Sequence, residues 1–526
     1  MPSSPAPLQT RRFRIRKGDI YALWAGQTVS MFGDEITAVA LPTVALLLLN
    51  VSPLQFGLIG ASSYLPYPVL GLLAGAWIDR VRRRIVLLVA DLVRGAAIAS
   101  IPVAVLARDV SLAQLVIVGL ITGTASVFFN SAYQAYLPHV VATDALNKAN
   151  ARLSISETTS QVAGPTLAGG LISFVGVGGA MLADAGSFLV SVVSLLFIRR
   201  PEPEPERRRG SLIPDVREGL RLVTGNRLLL GLTLTSAVSN LGRGMALELA
   251  IFFAFRGLHL SPSLVGVIMA AGNAGPFLGS LVSQRFTARV GIGPALLTGS
   301  VLKGLPWVFM PLALLSGGGI PVLITVMVVS GFFIPISNVT TLTIRQTLVS
   351  PDMQGRVAAT VRTVTRTVVP VATILGGALA QTGMRLLGPR VGLTAVLALG
   401  GLIWLSAGLL LPRRMLGRVH SIEDLAHVAP ASGGPARPAG APRRPLLADV
   451  SLLWAEEPYR PTRVIHPAVL PGYEFGQGNY PRPPRRPAPG PPPVRPAAGG
   501  IRTNGNGANQ GTYPRPAFRP PPGLRP

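Results

Sequence analysis

The sequence predicts an all-α integral membrane protein with twelve transmembrane helices in two six-helix pseudo-repeats, followed by a disordered Pro/Arg-rich C-terminal tail. Three observations carry that expectation. Apolar stretches near 20 residues recur through the first 411 positions, the length that crosses a hydrocarbon core of about 30 Å as a helix. Only 13% of the 526 residues are charged, and the mean hydropathy is +0.47. The texture then breaks after Leu411, where the last 115 residues hold 25 of the 49 prolines and 16 arginines against 6 acids. Such a segment lacks the apolar surface needed to offset the entropy of ordering it.

The net charge of +26 does not point to nucleic acid, because a soluble nucleic-acid binder is rich in charge and poor in long apolar runs. About +10 sits on the tail and +16 on the apolar body, which has 32 basic and 16 acidic residues. The absence of Cys excludes disulfides, thiolate metal sites and thiol catalysis.

The candidate spans lie near 20–49, 55–78, 85–107, 112–137, 153–175, 180–198, 227–255, 263–283, 294–315, 319–343, 357–380 and 389–411. They divide the chain into a basic N-terminus (1–19), a first six-helix half (20–198), a central loop (199–226), a second half (227–411) and the tail (412–526). Basic residues set the orientation. One face holds Arg11, Arg12, Arg14, Arg16, Lys17, Arg80, Arg82, Arg83, Arg84, Lys148, Arg152, the arginines of the central loop, Arg285, Arg289, Arg345, Arg356, Arg413 and Arg414. The other holds Arg108, Arg256, Arg385 and Arg390. Both termini and the central loop are therefore expected to be cytoplasmic, in a multi-pass protein of the cell (plasma) membrane. No small-residue cleavage site follows a short apolar core, so no signal peptide is expected. In the central loop, Pro201–Glu206 reads as stiff and extended. Leu212–Val223 reads either as an amphipathic helix on the inner membrane surface or as an ordinary solvated linker.

The two halves match at an offset of 209 residues. Gly33 falls on Gly242, Ser52-Pro53 on Ser261-Pro262, Gly57 on Gly266, Arg80-Val81 on Arg289-Val290 and Leu87-Leu88 on Leu296-Leu297. The offset becomes 207 where Gly169-Gly170 falls on Gly376-Gly377. Two six-span halves joined by a long loop is a transporter plan.

Several motifs make the expectation specific. Gly75-Ala76-Trp77-Ile78-Asp79-Arg80-Val81-Arg82-Arg83-Arg84 lies between spans two and three. Tyr136-Leu137-Pro138 leads to Asp144, Leu146 and Ala149-Asn150-Ala151. Gly164-Pro165 lies in span five, Asp184 with Ser187-Phe188 in span six, and Pro351-Asp352-Met353-Gln354-Gly355-Arg356-Val357 before span eleven. Over residues 18–412 the chain resembles the major facilitator superfamily, and within it the subgroup of enterobactin exporters and macrolide-efflux proteins. The resemblance implies a secondary active transporter that exports a hydrophobic or amphipathic small molecule, such as a drug, an antibiotic or a secreted siderophore. It implies proton antiport with alternating access, driven by the proton gradient without a cofactor. Three positions depart from the family pattern. Ala168 stands where antiporters commonly carry Gly, Ala288 falls where the first half has Asp79, and 112–137 contain no Arg or Lys.

The charges inside the spans are the candidate site. Asp34 and Glu35 lie in the middle of span one, where a charge costs about 2.5–3.5 kcal/mol on insertion scales. Adjacent residues point about 100° apart, so at least one is expected to face an aqueous cavity suited to reversible protonation; the alternative is a structural ion pair. Asp34 falls on Arg243 of span seven at the 209 offset, and the resemblance implies that spans one and seven both line the cavity. A pairing of Asp34 with Arg243, altered by protonation, is the expected coupling device, with Glu248 as a second protonation or cation-recognition group. Gly75, Asp79, Arg80, Arg83 and Arg84 form an expected conformational latch, read alternatively as a purely topogenic loop. Asp91 and Arg94, three apart on one helical face, are expected to support it. Gly164 and Pro165 form an expected hinge. Glu157 and Asp184 read as structural or helix-end charges. Arg362 and Arg366 read as contacts to an anionic substrate or to the Asp79 loop, or as snorkelling residues, and Lys303 reads as snorkelling. Gly71-x-x-x-Gly75 and Gly275-x-x-x-Gly279 read as close helix approaches, and Phe128, Phe129, Tyr133 and Tyr136 as packing rather than a drug site.

Neither a phosphate loop, a His-Glu-x-x-His motif nor a Gly-x-Ser-x-Gly elbow occurs, so no enzyme activity, catalytic residue or metal site is expected. The expected partners are a small-molecule substrate and the lipid bilayer, with the protein a monomer. Uptake or facilitated transport is the alternative within transport. A membrane scaffold or sensor acting through the Pro481–Pro496 region of the tail, toward a partner the sequence does not identify, is the alternative outside it.

Overall fold

The computed structural model describes residues 17–78, 80–141, 145–198, 202, 212–315, 319–350, 353–411, 416, 419–421 and 424. The chain divides into Met1–Pro438 and Ala439–Pro526, and every described residue belongs to the first unit. Asp79, Pro351-Asp352 and the tail beyond 424 lie outside the described residues.

Among those residues the protein is all helical, and ten helices are long and apolar enough to cross a membrane. The helices are α1 (Lys17–Thr43), α2 (Pro53–Tyr64), α3 (Pro66–Ile78), α4 (Arg83–Ala107), α5 (Leu112–Val140), α6 (Leu146–Phe197) and α7 (Leu212–Gly225). There follow α8 (Arg227–Phe252), α9 (Pro262–Val290), α10 (Ile292–Leu302), α11 (Leu305–Val308), α12 (Gly319–Leu348), α13 (Gln354–Leu387) and α14 (Pro389–Ser406).

Three stretches differ in continuity from the expected spans. The stretch expected as span two is a pair of helices, α2 and α3, joined at Leu65. Pro66 has no N–H to continue the ladder, so the helix breaks there. Expected spans five and six are joined in α6, whose 52 residues would extend about 78 Å if straight, more than twice the thickness of a hydrocarbon core. Gly176 interrupts it at φ +75°, a conformation that glycine adopts without a Cβ penalty. The break falls in the gap expected between those spans. The stretch expected as span nine is likewise α10, α11 and a 3-10 turn over Met310–Leu314, separated around Gly304 and Phe309.

Local features recur 209 residues apart. The end of α1 passes into a five-residue π-helical turn, Val44–Leu48, and the end of α8 into another, Phe253–Gly257. Each is followed by a residue with left-handed φ, Asn50 (55°) and His259 (53°). A Ser-Pro helix start comes next. Ser52 Oγ accepts from the Gln55 amide at 3.3 Å and Gln55 Oε1 accepts from the Ser52 amide at 2.8 Å. Ser261 Oγ accepts from the Leu264 amide at 3.4 Å. These caps satisfy N–H groups that a helix start leaves open.

Helix α1 packs on α6, and α4 on α5 and α6; in the second set α9 packs on α12, and α8 on α13 and α14. Gly275 and Gly279 of α9 lie so close to the α12 carbonyls of Val328 and Phe332 that a Cβ would not fit. The expected small-residue approach is thus made there, whereas nothing stands within 4 Å of a Cβ at Gly71. The two sets meet along two seams. On α2, Gly57 faces the Thr373 carbonyl of α13, and Gly377 faces Pro53. On α9, Gly266 faces the Pro165 carbonyl of α6, and Gly169 faces Pro262 and Ser263. Both seams lie toward the starts of α2 and α9, away from the basic face defined by the sequence. Ser173 and Ser263 share a hydrogen bond at 2.5 Å there.

Helix α7 bears on the expectation for the central loop. It packs on α13, α8 and α3, with Val223 buried in a cluster with Leu228, Leu348, Val357 and Leu416. Glu218 and Arg356 form an ion pair at 2.6 Å. The amphipathic pattern is thus satisfied at least in part by protein.

Candidate transport site

The first group of charges is held by α1, α4, α5 and α6. Asp91 and Arg94, on one face of α4, form an ion pair, with Asp91 fully buried and Arg94 6% exposed. The Ser191 hydroxyl of α6 donates to Asp91 at 2.6 Å. The Arg94 guanidinium carbon sits 4.3 Å from the Phe129 ring centroid of α5 and 4.6 Å from that of Phe188 of α6. A guanidinium between two ring faces is attracted by both quadrupoles, most strongly where water is excluded. Asp184, 1% exposed, accepts from the Thr37 hydroxyl and, at 3.1 Å, from the Ser187 hydroxyl. It therefore ties α6 to α1 from within a helix; of the two readings of this residue, the structural one applies and the helix-end one does not.

Asp34 projects beside this group with an exposed side chain, within electrostatic reach of Arg94, Asp91 and Asp184. Glu35 points to another side of α1, where it fills the space in front of Gly164; a Cβ on that glycine would lie 2.6 Å from the Cβ of Glu35. The backbone stays helical through Gly164 and Pro165. On the same helices, Trp24 Nε1 donates to Ser156 Oγ at 3.0 Å and Thr28 Oγ1 donates to it at 2.9 Å.

The second group spans both sets of helices. Arg366 of α13 places its guanidinium carbon 4.5 Å from the ring centroid of Tyr67 on α3, so it reaches the first set instead of snorkelling. The Tyr67 hydroxyl accepts from Asn130 Nδ2 at 3.3 Å. Tyr64, at the end of α2, is 40% exposed and lies within electrostatic reach of Arg243, Glu248, Tyr67 and Arg366. The carboxylate of Glu248 abuts Gly60 of α2, where a Cβ would come within 2.9 Å of it. Arg243 is exposed. Among the described residues, Asp34 and Arg243 form no ion pair in this conformation.

The basic loop before α4 is also built. Glu202 accepts from the backbone amides of Arg83 and Arg84 at 2.8 and 3.2 Å, occupying the N-terminus of α4 where open N–H groups and the helix dipole favour an anion. Arg84 donates to the carbonyls of Leu195 and Leu196 at 3.1 and 3.0 Å, at the end of α6 where carbonyls lack helical partners. Arg80, in the turn after α3, donates its amide to Trp77 at 3.0 Å, and Gly75 lies in α3.

Lys303 departs from expectation. Its side chain is buried at 5% exposure instead of reaching a surface. Its ammonium donates to Ser337 Oγ at 3.2 Å, and Ser337 also meets Ser300 Oγ at 3.2 Å. The four aromatics of α5 are packing residues, as read: Trp77 meets Phe128 edge-on at 5.3 Å, Phe129 stacks on Tyr133 at 6.0 Å, and Tyr136 is fully buried.

Comparison with known proteins agrees with this architecture. Residues 23–255 match the model of the Major Facilitator Superfamily. An uncharacterized MFS-type transporter, YfiS of Bacillus subtilis, is 27% identical over 412 residues, covering 76% of this chain and 93% of that one. The multidrug efflux pump Tap of Mycolicibacterium fortuitum is 25% identical over 385 residues, covering 70% and 90%. A bacterial homologue of the iron transporter ferroportin, in an inward-facing state, shares the fold with a TM-score of 0.60 at 17% identity, covering 74% of this chain and 98% of that one. The chain is thus similar to transporters of the major facilitator superfamily, with proteins named as efflux pumps among its relatives.

Proposed function

We propose that this transporter is a proton-coupled exporter of a hydrophobic or amphipathic small molecule, working by alternating access in the cell membrane. The observation that supports it is a set of charges of both signs inside the helices, Asp34 and Glu35 on α1 and Arg243 on α8 near their middles, with Glu248 nearer the end of α8. Charges at that depth are retained at a cost and mark pathways for ions or substrates. With Gly176 and Leu65 read as interruptions within single passes or between neighbouring ones, the helices make twelve crossings. The recurring π turns, left-handed residues and Ser-Pro starts support two repeats. The basic face is then cytoplasmic by the positive-inside rule. The glycine seams close the external face, and the site opens inward.

In this reading Asp34 takes up and releases a proton, and the separation of Asp34 from Arg243 is one state of a pair that re-forms as the halves rock. Gly75, Asp79, Arg80, Arg83, Arg84, Asp91 and Arg94 form the latch of this reading, with Asp79 outside the described residues; Gly164 and Pro165 flex at the α6–α9 seam. Export of drugs by related proteins named as efflux pumps supports the direction.

The test uses the full chain in liposomes with an imposed pH gradient and an internal pH dye. A panel of antibiotics and siderophores is added in turn. A transported compound collapses the gradient, and Asp34→Asn abolishes that proton movement while the protein still elutes as a single species. Unchanged coupling in Asp34→Asn sinks the role of Asp34, and substrate movement indifferent to a protonophore sinks proton antiport.

A further inference from the structure

The wall formed by α2, α3, α8 and α13 carries more positive than negative charge. Arg243 and Arg366 both lie within electrostatic reach of Tyr64, and among the described residues neither has a carboxylate within ion-pair distance. The one acid beside them, Glu248, is pressed against the backbone of Gly60. The guanidinium carbon of Arg366 lies over the ring of Tyr67, whose hydroxyl accepts from Asn130. Among the described residues, no acid pairs with that guanidinium. Tyr64 presents an exposed ring beside it.

A charge within a membrane-spanning helix is costly and marks a pathway for ions or substrates; Arg243 and Arg366 are both exposed, with Glu248 in electrostatic reach of Arg243. A buried ion pair such as Asp91–Arg94 shows how this chain neutralises an arginine that serves packing alone. Arg243 and Arg366 are not neutralised in that way. Their fork geometry matches a carboxylate, a sulfonate or another oxyanion bidentately. The neighbouring phenol rings offer stacking surface to an aromatic body. A cationic compound would meet two like charges beside Glu248.

Resting on the transport function proposed above, we propose that Tyr64, Tyr67, Arg243 and Arg366 form a subsite for the anionic group of an aromatic amphiphile, so that carboxylate-bearing aromatic compounds are the preferred substrate class.

Two xanthene dyes of nearly the same shape separate charge from hydrophobicity: fluorescein, anionic at neutral pH, and rhodamine 123, cationic. Binding to the purified full-length protein in detergent is read by fluorescence polarisation, with no gradient imposed. Fluorescein is expected to bind at least about tenfold tighter than rhodamine 123, and Arg366→Gln to weaken fluorescein by about tenfold or more, the scale of one lost charge-assisted contact. Arg366→Lys, which keeps the charge without the planar fork, falls between, and Arg243→Gln weakens fluorescein alone. Rhodamine 123 affinity in each variant serves as the folding control. Fluorescein binding no tighter than rhodamine 123, or unchanged in Arg366→Gln, overturns the proposal. Anion-selective binding without proton movement in liposomes removes the proton-coupled reading and leaves this one standing. Proton-coupled movement of rhodamine 123 in preference to fluorescein does the reverse.

Discussion

The Asp91–Arg94 pair gives the most direct test of how this fold tolerates charge in its interior. Asp91→Leu leaves the Arg94 guanidinium, 6% exposed, between Phe129 and Phe188 without its ion-pair partner, with Asp34 and Asp184 only within electrostatic reach. The ring contacts exist already in the native protein, so they offer no new compensation. Removing one member of a buried pair costs about 3–5 kcal/mol. Arg94→Leu strands Asp91 with only the Ser191 hydroxyl, with a cost of the same order. The double variant removes both charges and leaves an apolar seam between α4, α5 and α6. Replacing both partners of a buried pair by apolar residues is often neutral or better, so the double variant should lie within about 2 kcal/mol of the native protein. The coupling energy is then at least about 4 kcal/mol, far above the few tenths expected for independent sites. The assay is thermal unfolding of detergent-solubilised protein, followed by the fraction that still elutes as a single species, for the four members of the cycle. If the double variant loses as much as the two single variants together, the two residues are not coupled as a buried pair.

Lys303→Met removes a buried cation that donates to a serine and, among the described residues, forms no ion pair; it should raise thermal stability by about 1–4 kcal/mol, and a lower melting point would contradict that burial. Gly57→Val and Gly266→Val place side chains against the Thr373 and Pro165 carbonyls; each should cost about 1–3 kcal/mol of overpacking in the closed-seam conformation. Increased labelling of a cysteine placed at Ser173 would show the seam opening, and unchanged labelling would refute it. Glu218→Arg reverses one member of an exposed pair with Arg356 and should shift stability by no more than about 1 kcal/mol; a larger loss would mean that α7 is a structural strut.

The legible parts of the site were those where a residue type contradicts its surroundings. Asp34, Glu35, Arg243 and Glu248 stand out because a charge interrupts an apolar run, and the spacing of Asp91 and Arg94 puts them on one helical face without further information. The partners were not legible. Phe129 and Phe188 flank Arg94 from two other helices, and Tyr67 meets Arg366 across more than 290 positions of chain. No local pattern encodes such rotations. Lys303 was misread for the same reason: a snorkelling lysine and one turned inward toward Ser337 have the same sequence neighbourhood. Glu202 was hidden inside a Pro-Glu alternation that reads as a linker, and only the geometry shows its carboxylate on the amides of Arg83 and Arg84. Chain breaks were legible to the extent that a residue forces them. Pro66 removes a donor, whereas the gap between spans five and six was expected without singling out Gly176 as the residue that turns.

On the two-repeat reading, the positions that agree at the 209 offset and those that differ fall into separate physical classes. The agreeing positions are backbone devices: the π turns at Val44–Leu48 and Phe253–Gly257, the left-handed Asn50 and His259, the two Ser-Pro starts, and Gly57 with Gly266 at the seams. The differing positions are charges. Asp34 faces Arg243 in the register, Asp79 faces Ala288, and the Asp91–Arg94 pair corresponds to Ser300 and Lys303, the same i, i+3 spacing without the acid. Arg256, which donates to the Leu46 carbonyl at 2.6 Å and to the Asn50 side chain, has only Leu47 as its counterpart. A rocking motion needs two matched sets of close backbone contacts, so symmetry is retained where helices slide and separate. A directional cycle needs the two halves to respond differently to a proton or a substrate, so symmetry is lost where charge resides. Restoring it at one position, by Ser300→Asp, would give Lys303 the carboxylate that Arg94 has. If the asymmetry of charge matters for the cycle and not merely for packing, that variant keeps its fold and loses transport rate; full activity would confine Lys303 to packing.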